Sequence, residues 1–473
     1  MNDSIMPTEL ADALALHQKG MLAEAEAGYR AVIRSDPDNP DALHLLSILC
    51  LQQGRAAEAL PVIDRVIALA PDAADAYGNK GTALQAMEQY GEAAFAFRTA
   101  ISLAPDAPHH HYNLGNTLRA DGDKPGAVRA YREAIRCAPD LVQAHSNLAT
   151  TLSELGLFNE AVAHCKLALK YQPEFADAHY NLGNAYRESG RHAQAVEAYH
   201  ATIRHNPDHA DAYCNLGLSE MISPGLDQAI RTLGKAVEID PAQNMAAFYR
   251  AVATEMTGAE PSKLFSALPD DDPDVTAWCD SWDYVKSHST LKTEIIHCPY
   301  SLLTHALEAA MLEGLVLEFG VRHGQSIRHL AVKAGQAIHG FDSFHGLPSA
   351  WGGEPEGVYS TDGELPDVPD NVTLHAGLFD ETLGPFLKSH PGDIRFCNID
   401  CDIYASTVSV LEGIAPRIKP GTVLVFDEYL INPTWRDDEY KAFQEVVEKH
   451  GWKYTYLAFG IVTKQAAVII DAI

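Results

Sequence analysis

Six acidic side chains and two glycines in the second half of the chain stand where binding chemistry is commonly done, just past the ends of short apolar runs. Leu315 to Ser326 reads Leu-Val-Leu-Glu-Phe-Gly-Val-Arg-His-Gly-Gln-Ser: an apolar run ending in Glu318, a turn holding Gly320 and Gly324, then a helical pattern to about Ala334. This is the strand-turn-helix opening of a nucleotide-type site. Later ends read Phe341-Asp342-Ser343-Phe344-His345, Asn398-Ile399-Asp400-Cys401-Asp402 and Phe426-Asp427-Glu428-Tyr429. One strand often stops at a polar residue, but four acidic ends point to a shared edge. Acids there suit a ligand with hydroxyls and positive charge and disfavour one held by its phosphates. Neither GxGxxG nor GxxxxGK[ST] occurs, which weakens dinucleotide and triphosphate readings. A carboxylate shielded from water titrates high enough to serve as a base, so Asp400 and Asp402 are catalytic candidates, with the loop residue His345 a third.

The elements that must position these residues follow from the same pattern. Apolar runs recur at Ala337 to Phe341, Val372 to His375, Ile394 to Ile399, Thr422 to Phe426, Tyr454 to Phe459 and Ala466 to Ile470, with helical segments at Asp380 to Ser389, Tyr404 to Ile418 and Asp438 to His450. Strands alternating with helices imply a mostly parallel, doubly wound α/β sheet, whose ligand sits outside the carboxyl ends of the strands. His345 to Pro369 is long and rich in Gly and Pro, as a lid or binding loop would be, and Trp351 and Tyr359 in it are expected to touch an acceptor or exclude water.

Taken together, the acid-x-Gly opening at Glu318 to Gly324, the loop Asp342 to Pro348, the segment Ile399 to Thr407 and the Asp427-Glu428 end resemble class I S-adenosylmethionine-dependent methyltransferases, and within them the macrocin O-methyltransferase-like family, over about residues 285 to 473. A Rossmann-like class I fold is the implied architecture. S-adenosylmethionine, with a sulfonium, an amino group, ribose hydroxyls and no phosphate, suits acidic strand ends. The resemblance implies that Gly320 and Gly324 admit its methionine end, that Glu318, Ser326 and Ser343 shape the cofactor site, and that Asp342 bonds the ribose. Related metal-assisted enzymes imply magnesium on Asp400, Asp427 and Glu428, carboxylates being the ligands it prefers. Those enzymes usually carry Asp-Asp or Asp-Asn where this chain has Asp427-Glu428.

The first half has a fixed period. Pro37, Pro71, Pro105, Pro139, Pro173, Pro207 and Pro241 are each 34 residues apart, with Ala25, Ala59, Ala93, Ala127, Ala161, Ala195 and Ala229 twelve residues ahead of them. Gly20, Gly54, Gly122, Gly156 and Gly190 stand seventeen ahead, with Glu88 and Pro224 in the other two registers. Glycine turns the chain between antiparallel helices, alanine lets them approach, and proline stops the second helix. The array resembles tetratricopeptide repeats over roughly residues 8 to 241, with Gln243 to Met256 as a sealing helix.

Asn79, Asn113, Asn147, Asn181 and Asn215 recur eight residues after successive prolines. They resemble the ladder that holds extended peptide in the repeats of O-linked N-acetylglucosamine transferase. They are peptide-binding candidates, against bonding within or between repeats. At ~0.5 to 1.5 kcal/mol net per hydrogen bond, such capture is weak and sequence-tolerant. His109-His110-His111 reads as a solvated helix start, because adjacent helical residues point in different directions.

A net charge of −29 disfavours nucleic acid as partner, since neutralising phosphates takes Lys and Arg clusters. Met1 to Leu10 lacks the pattern of a secretion signal, and no window reaches the ~18 apolar residues of a membrane span. Eight scattered cysteines without a CxxC pair read as buried thiols in a reducing compartment. The expectation is a soluble, cytoplasmic chain: a seven-repeat α-helical solenoid with capping helix at 8–257, a linker at 258–290 carrying Trp278 and Trp282 on one helix face, and the methyltransferase domain at 291–473. Function is expected to be O-methylation of a sugar, glycan or natural-product hydroxyl, with the arm docking a protein, peptide or substrate. The alternative is a peptide-binding scaffold whose second domain is inactive or regulatory.

Overall fold

The computed structural model describes residues 8–221, 225–296, 298–349, 357, 359–361 and 363–473. Trp351 and Pro224 lie outside the described residues. By density of internal contacts the chain divides into two compact units, Met1–Ala185 and Tyr186–Ile473.

The first unit is built of antiparallel helix pairs, Thr8–Gln18 with Leu22–Ser35 and Pro40–Gln52 with Ala56–Leu69 being the first two. The register alanines Ala25, Ala59, Ala93, Ala127 and Ala161 are all fully buried, which is the close helix approach that small residues permit. Glu88, standing where other repeats have glycine, takes the same left-handed turn at φ 59°, a conformation that costs a side-chain-bearing residue about 1 kcal/mol or more. Histidines six residues after three successive prolines place Nε2 of His111, His145 and His179 2.8, 3.0 and 2.9 Å from the carbonyl oxygens of Pro105, Pro139 and Pro173. These contacts tie the first helix of one repeat to a carbonyl in the turn just past the preceding helix.

The second unit contains the later repeat helices through Asn244–Met256, a helix Pro273–His288, and an eight-stranded sheet. The strands are β1 (Glu294–Ile295), β2 (Leu315–Phe319), β3 (Ile338–Asp342), β4 (Val372–Ala376), β5 (Ile394–Ile399), β6 (Val423–Phe426), β7 (Lys453–Gly460) and β8 (Gln465–Ala472), in the spatial order β1-β7-β8-β6-β5-β2-β3-β4. From β4 across to β6 all pairs are parallel; β8 runs antiparallel between β6 and β7. Alternate residues face opposite ways: Leu317, Phe319, Ile399 and Phe426 pack with Leu383, Leu411 and Phe443 of three helices, while Val316, Phe396 and Val425 pack with Leu302, Ile327 and Leu330 of two others. Helices therefore cover both faces.

The expected boundary at 257/258 falls inside this second unit. Phe248 and Tyr249 of the sealing helix share one core with Trp282 and the sheet, the Tyr249 hydroxyl donates to the Ile461 carbonyl at 3.1 Å, and Trp282 Nε1 donates to Glu255 at 2.6 Å. The 258–290 stretch is thus packed structure over its helical part. Among the described residues, no helix is long and apolar enough to cross a membrane, and all eight cysteines are free thiols.

Candidate active site

After β2 the chain builds β3 and β4 to one side and then returns to place β5 and β6 on the other, so the sheet order reverses between β2 and β5. That reversal opens a crevice at the carboxyl ends of the strands. The cavity there is about 540 Å³ and is lined by Gly320 after β2, Asp342 and Ser343 at the end of β3, Gly377 to Asp380 after β4, Asp400 to Ile403 after β5, and Asp427 and Glu428 after β6. Five strand ends contribute to one space.

Gly320 sits at φ 89°, and a Cβ there would overlap the Asp400 carbonyl oxygen. Only glycine fits so close a meeting of two strand ends. Asp342 holds the turn that follows: one carboxylate oxygen accepts from the backbone N–H groups of Val321 at 2.8 Å and Arg322 at 2.7 Å, the other from Phe344 at 2.6 Å. Glu318 is fully buried, accepting from the Ser326 hydroxyl at 2.8 Å and from Asn398 at 3.4 Å. Burial pushes its pKa up to about 8 despite those bonds, so it is largely protonated at neutral pH.

Acids converge on the far wall. Burial raises Asp402 to about 7, with Glu428 and Asp427 adding to the rise and Arg322 and Lys464 opposing it. Burial likewise lifts Asp427 to about 6, and it accepts from Gln465 at 2.5 Å. Asp400 is raised well above the carboxylate range by burial and then by Asp427 and Asp402. Below them Glu439, fully buried, accepts from the backbone N–H groups of Cys401 and Glu428, both at 3.1 Å, which ties the β5 and β6 turns together. Two cations answer this charge. Lys464 pairs with Glu428 at 3.0 Å, and the Arg322 guanidinium lies 4.6 Å from the Tyr359 ring centre, its Nε buried without a hydrogen-bond partner.

Of the residues singled out from sequence, Gly320, Asp342, Ser343, Asp400, Asp402, Asp427, Glu428 and Tyr359 line the cavity. Glu318 on β2, Gly324 in the turn, Ser326 at the start of the next helix and the exposed His345 lie outside the lining. The expected magnesium set is not gathered: among the described residues, the group of three or more His, Cys, Asp or Glu side chains with ligand atoms all within 4.8 Å is Asp75, His109 and His110. Glu428 is turned to Lys464 and Asp427 to Gln465. Asp400, Asp427 and Glu428 thus do not fit a magnesium site in this arrangement. Arg322, Glu439, Lys464 and Gln465 were missed by sequence reasoning. Arg322 lay in the quoted turn, while the other three reach the site only by folding.

In the repeats, the asparagines are half-buried on the first helix of each pair. Asn147 donates to Tyr112 at 3.1 Å and Asn116 at 2.9 Å, and Asn181 to the Ser146 hydroxyl at 2.9 Å. At these two positions the amide donors bond between repeats, while Asn79 keeps a buried Nδ2 without a partner. A cleft of about 510 Å³ is lined by Gln85, Asn116, Arg119, Ala120, Asn147 and Glu154. The histidine triplet is not a solvated helix start: His110 is 1% and His111 8% exposed, because each finds a slot or a carbonyl in the adjoining repeat.

Comparison with known proteins matches this division. Residues 317–429 match a methyltransferase domain family, and residues 10–74, 45–112, 112–138, 151–188 and 176–209 match tetratricopeptide repeat families. The chain carries tetratricopeptide-repeat helices followed by a mixed α/β sheet domain that is consistent with a methyltransferase. No curated protein matches it. Among solved structures it is similar to YrrB, described as a tetratricopeptide protein with an unusual peptide-binding site, at 22% identity over 39% of this chain and 95% of that one, TM-score 0.34. It is similar to MamA from Desulfovibrio magneticus RS-1 at 20% identity over 36% and 96%, TM-score 0.34. A tetratricopeptide protein from Parabacteroides merdae shares 16% identity over 52% and 97%, TM-score 0.42.

Proposed function

We propose that the chain is an S-adenosylmethionine-dependent O-methyltransferase of the class I, doubly wound type, close to the macrocin O-methyltransferase-like family, acting in the cytoplasm on a hydroxyl of a sugar, glycan or natural product. The observation that carries this reading is the cavity lined by five strand ends where the sheet order reverses. Its fit to the cofactor rests on the residues present: Gly320 leaves bare backbone at the cavity wall, and six acids line it, which suits a ligand with a sulfonium, an amino group and hydroxyls. Gly320, Asp342 and Ser343 would hold the cofactor, with Glu318, Gly324 and Ser326 fixing the turn from behind. When bound, S-adenosylmethionine supplies an electrophilic methyl group.

The chain's own part is to seat the acceptor and take its proton. Asp402 faces the cavity with a pKa near neutrality, where a general base works best. Arg322, whose pKa is lowered by burial, offers a donor that turns an acceptor oxygen toward the acids. Tyr359 forms the wall beneath it. The repeat array, through the Asn147 cleft, docks a protein or peptide partner. Incubation of a cell extract with methyl-labelled S-adenosylmethionine, comparing the wild-type chain with Asp402→Asn, tests the reading. Label in a hydroxyl-bearing product with the former alone is expected, and no label with either would refute it.

A further inference from the structure

From the second repeat onward, the first helix carries one register position that is alanine in all but one case: Ala42, Ala76, Ala144, Ala178, Ala212 and Ala246, with His110 as the exception. Each of these alanines is 0 or 1% exposed, so an imidazole at that depth needs room that a standard repeat lacks. The room comes from the preceding repeat. Gly78 occupies a register filled elsewhere by His44, Tyr112, Ser146, Tyr180, Cys214 and Phe248, and a Cβ on Gly78 would lie 2.6 Å from His110 Cε1 and 2.9 Å from its Nδ1. One repeat has surrendered a side chain so that the next can bury a histidine.

The buried ring is left unsatisfied. Neither Nδ1 nor Nε2 of His110 has a hydrogen-bond partner, and a buried polar group left so is costly unless something else takes it up. Its Nε2 points to Asp75, 3.5 Å from Oδ1, and Nε2 of His109 lies 3.4 Å from the same oxygen. All three ligand atoms lie within 4.8 Å of one another. Such separations are long for a hydrogen bond, but they match the edge of a tetrahedron around zinc, roughly 3.3 Å for bonds of about 2.0 to 2.1 Å.

We propose that Asp75, His109 and His110 form a zinc site that clips the helix Ala74–Ala86 of one repeat to the helix Pro108–Ala120 of the next. Two imidazoles and one carboxylate select a borderline ion over magnesium or calcium. Asp75 and His109 are exposed, so the fourth position opens to water. The clip holds two neighbouring repeats in one register. It is separate from the strand-end cavity.

The test uses the full chain, stripped of metal and titrated with zinc ion against a chromophoric chelator, with cobalt ion as a spectroscopic stand-in. His109→Ala and Asp75→Asn change exposed side chains, and His110→Ala restores the residue of the other repeats, so helicity should be unaltered in all three. Relative to wild type, each is expected to lose one zinc equivalent, or at least tenfold in its affinity, together with the visible cobalt absorption of a tetrahedral site. Equal zinc stoichiometry and affinity in wild type and variants would overturn the proposal. A loss confined to His110→Ala, with His109→Ala and Asp75→Asn still binding, would overturn it equally.

Discussion

Asp402 and Glu318 show how burial sets a carboxyl's work. Asp402, the proposed base, is raised from 3.8 to about 7, and a base acts in its ionised form, so under the proposed function methyl transfer should rise with pH through about 7 and level above it. Asp402→Asn should remove that limb and lower kcat roughly a hundredfold or more, within the range for a lost general base; a pH–rate profile on both proteins checks this. Glu318 is raised from 4.5 to about 8. Its folded-state pKa exceeds the unfolded one, so the stability it contributes is present below about 4.5 and is lost as pH rises through about 8. Glu318→Gln, which keeps the bond from Ser326 without the charge, is therefore expected to raise Tm relative to wild type at pH 8.5 and to change it far less at pH 5. Thermal unfolding at the two pH values measures this directly.

Elements place these residues through a few close approaches. β2 and β5 meet where Gly320 faces the Asp400 carbonyl, so Gly320→Ala must push the two strand ends apart. Its expected result is loss of S-adenosylhomocysteine binding by tenfold or more, with repeat helicity retained by circular dichroism. In the repeats, Asn147 and Asn181 already bond neighbouring helices. Their joint change to Ala is expected to loosen the array as well as any peptide it holds, which a Tm measured beside peptide capture would show.

Strand β5 was legible because four of the six residues Ile394–Ile399 are apolar and an acid, Asp400, follows them. Helices Tyr404–Ile414 and Glu439–His450 followed from periodicity. Strand β1, at two residues, carries no pattern to read. Glu439, Lys464 and Gln465 were not legible as site residues, because their partners Cys401, Glu428 and Asp427 lie far off or across a turn and only tertiary packing joins them. His110 was misread for a related reason: the slot that buries it is made by Gly78, in the repeat before.

At the scale of the whole molecule, the repeats do not simply end and hand over to an enzyme. The last helices of the array, the helix Pro273–His288 and the sheet form one core, bridged by the Tyr249 to Ile461 bond and the Arg436–Asp280 ion pair at 2.7 Å. A sheet domain cut at residue 291 loses Tyr249, Trp282 and Tyr284 from that core. It is expected to be less stable and more prone to aggregate than a chain beginning at residue 186, a comparison that size-exclusion and thermal scans of the two can make.

The cavity at the strand ends is the proposed cofactor site. Calorimetric titration of the full chain with S-adenosylhomocysteine, alongside Gly320→Ala, measures it most directly. One equivalent bound by the wild type, weakened at least tenfold in the variant, is the predicted result. No heat and no saturation with the wild-type chain would contradict the account.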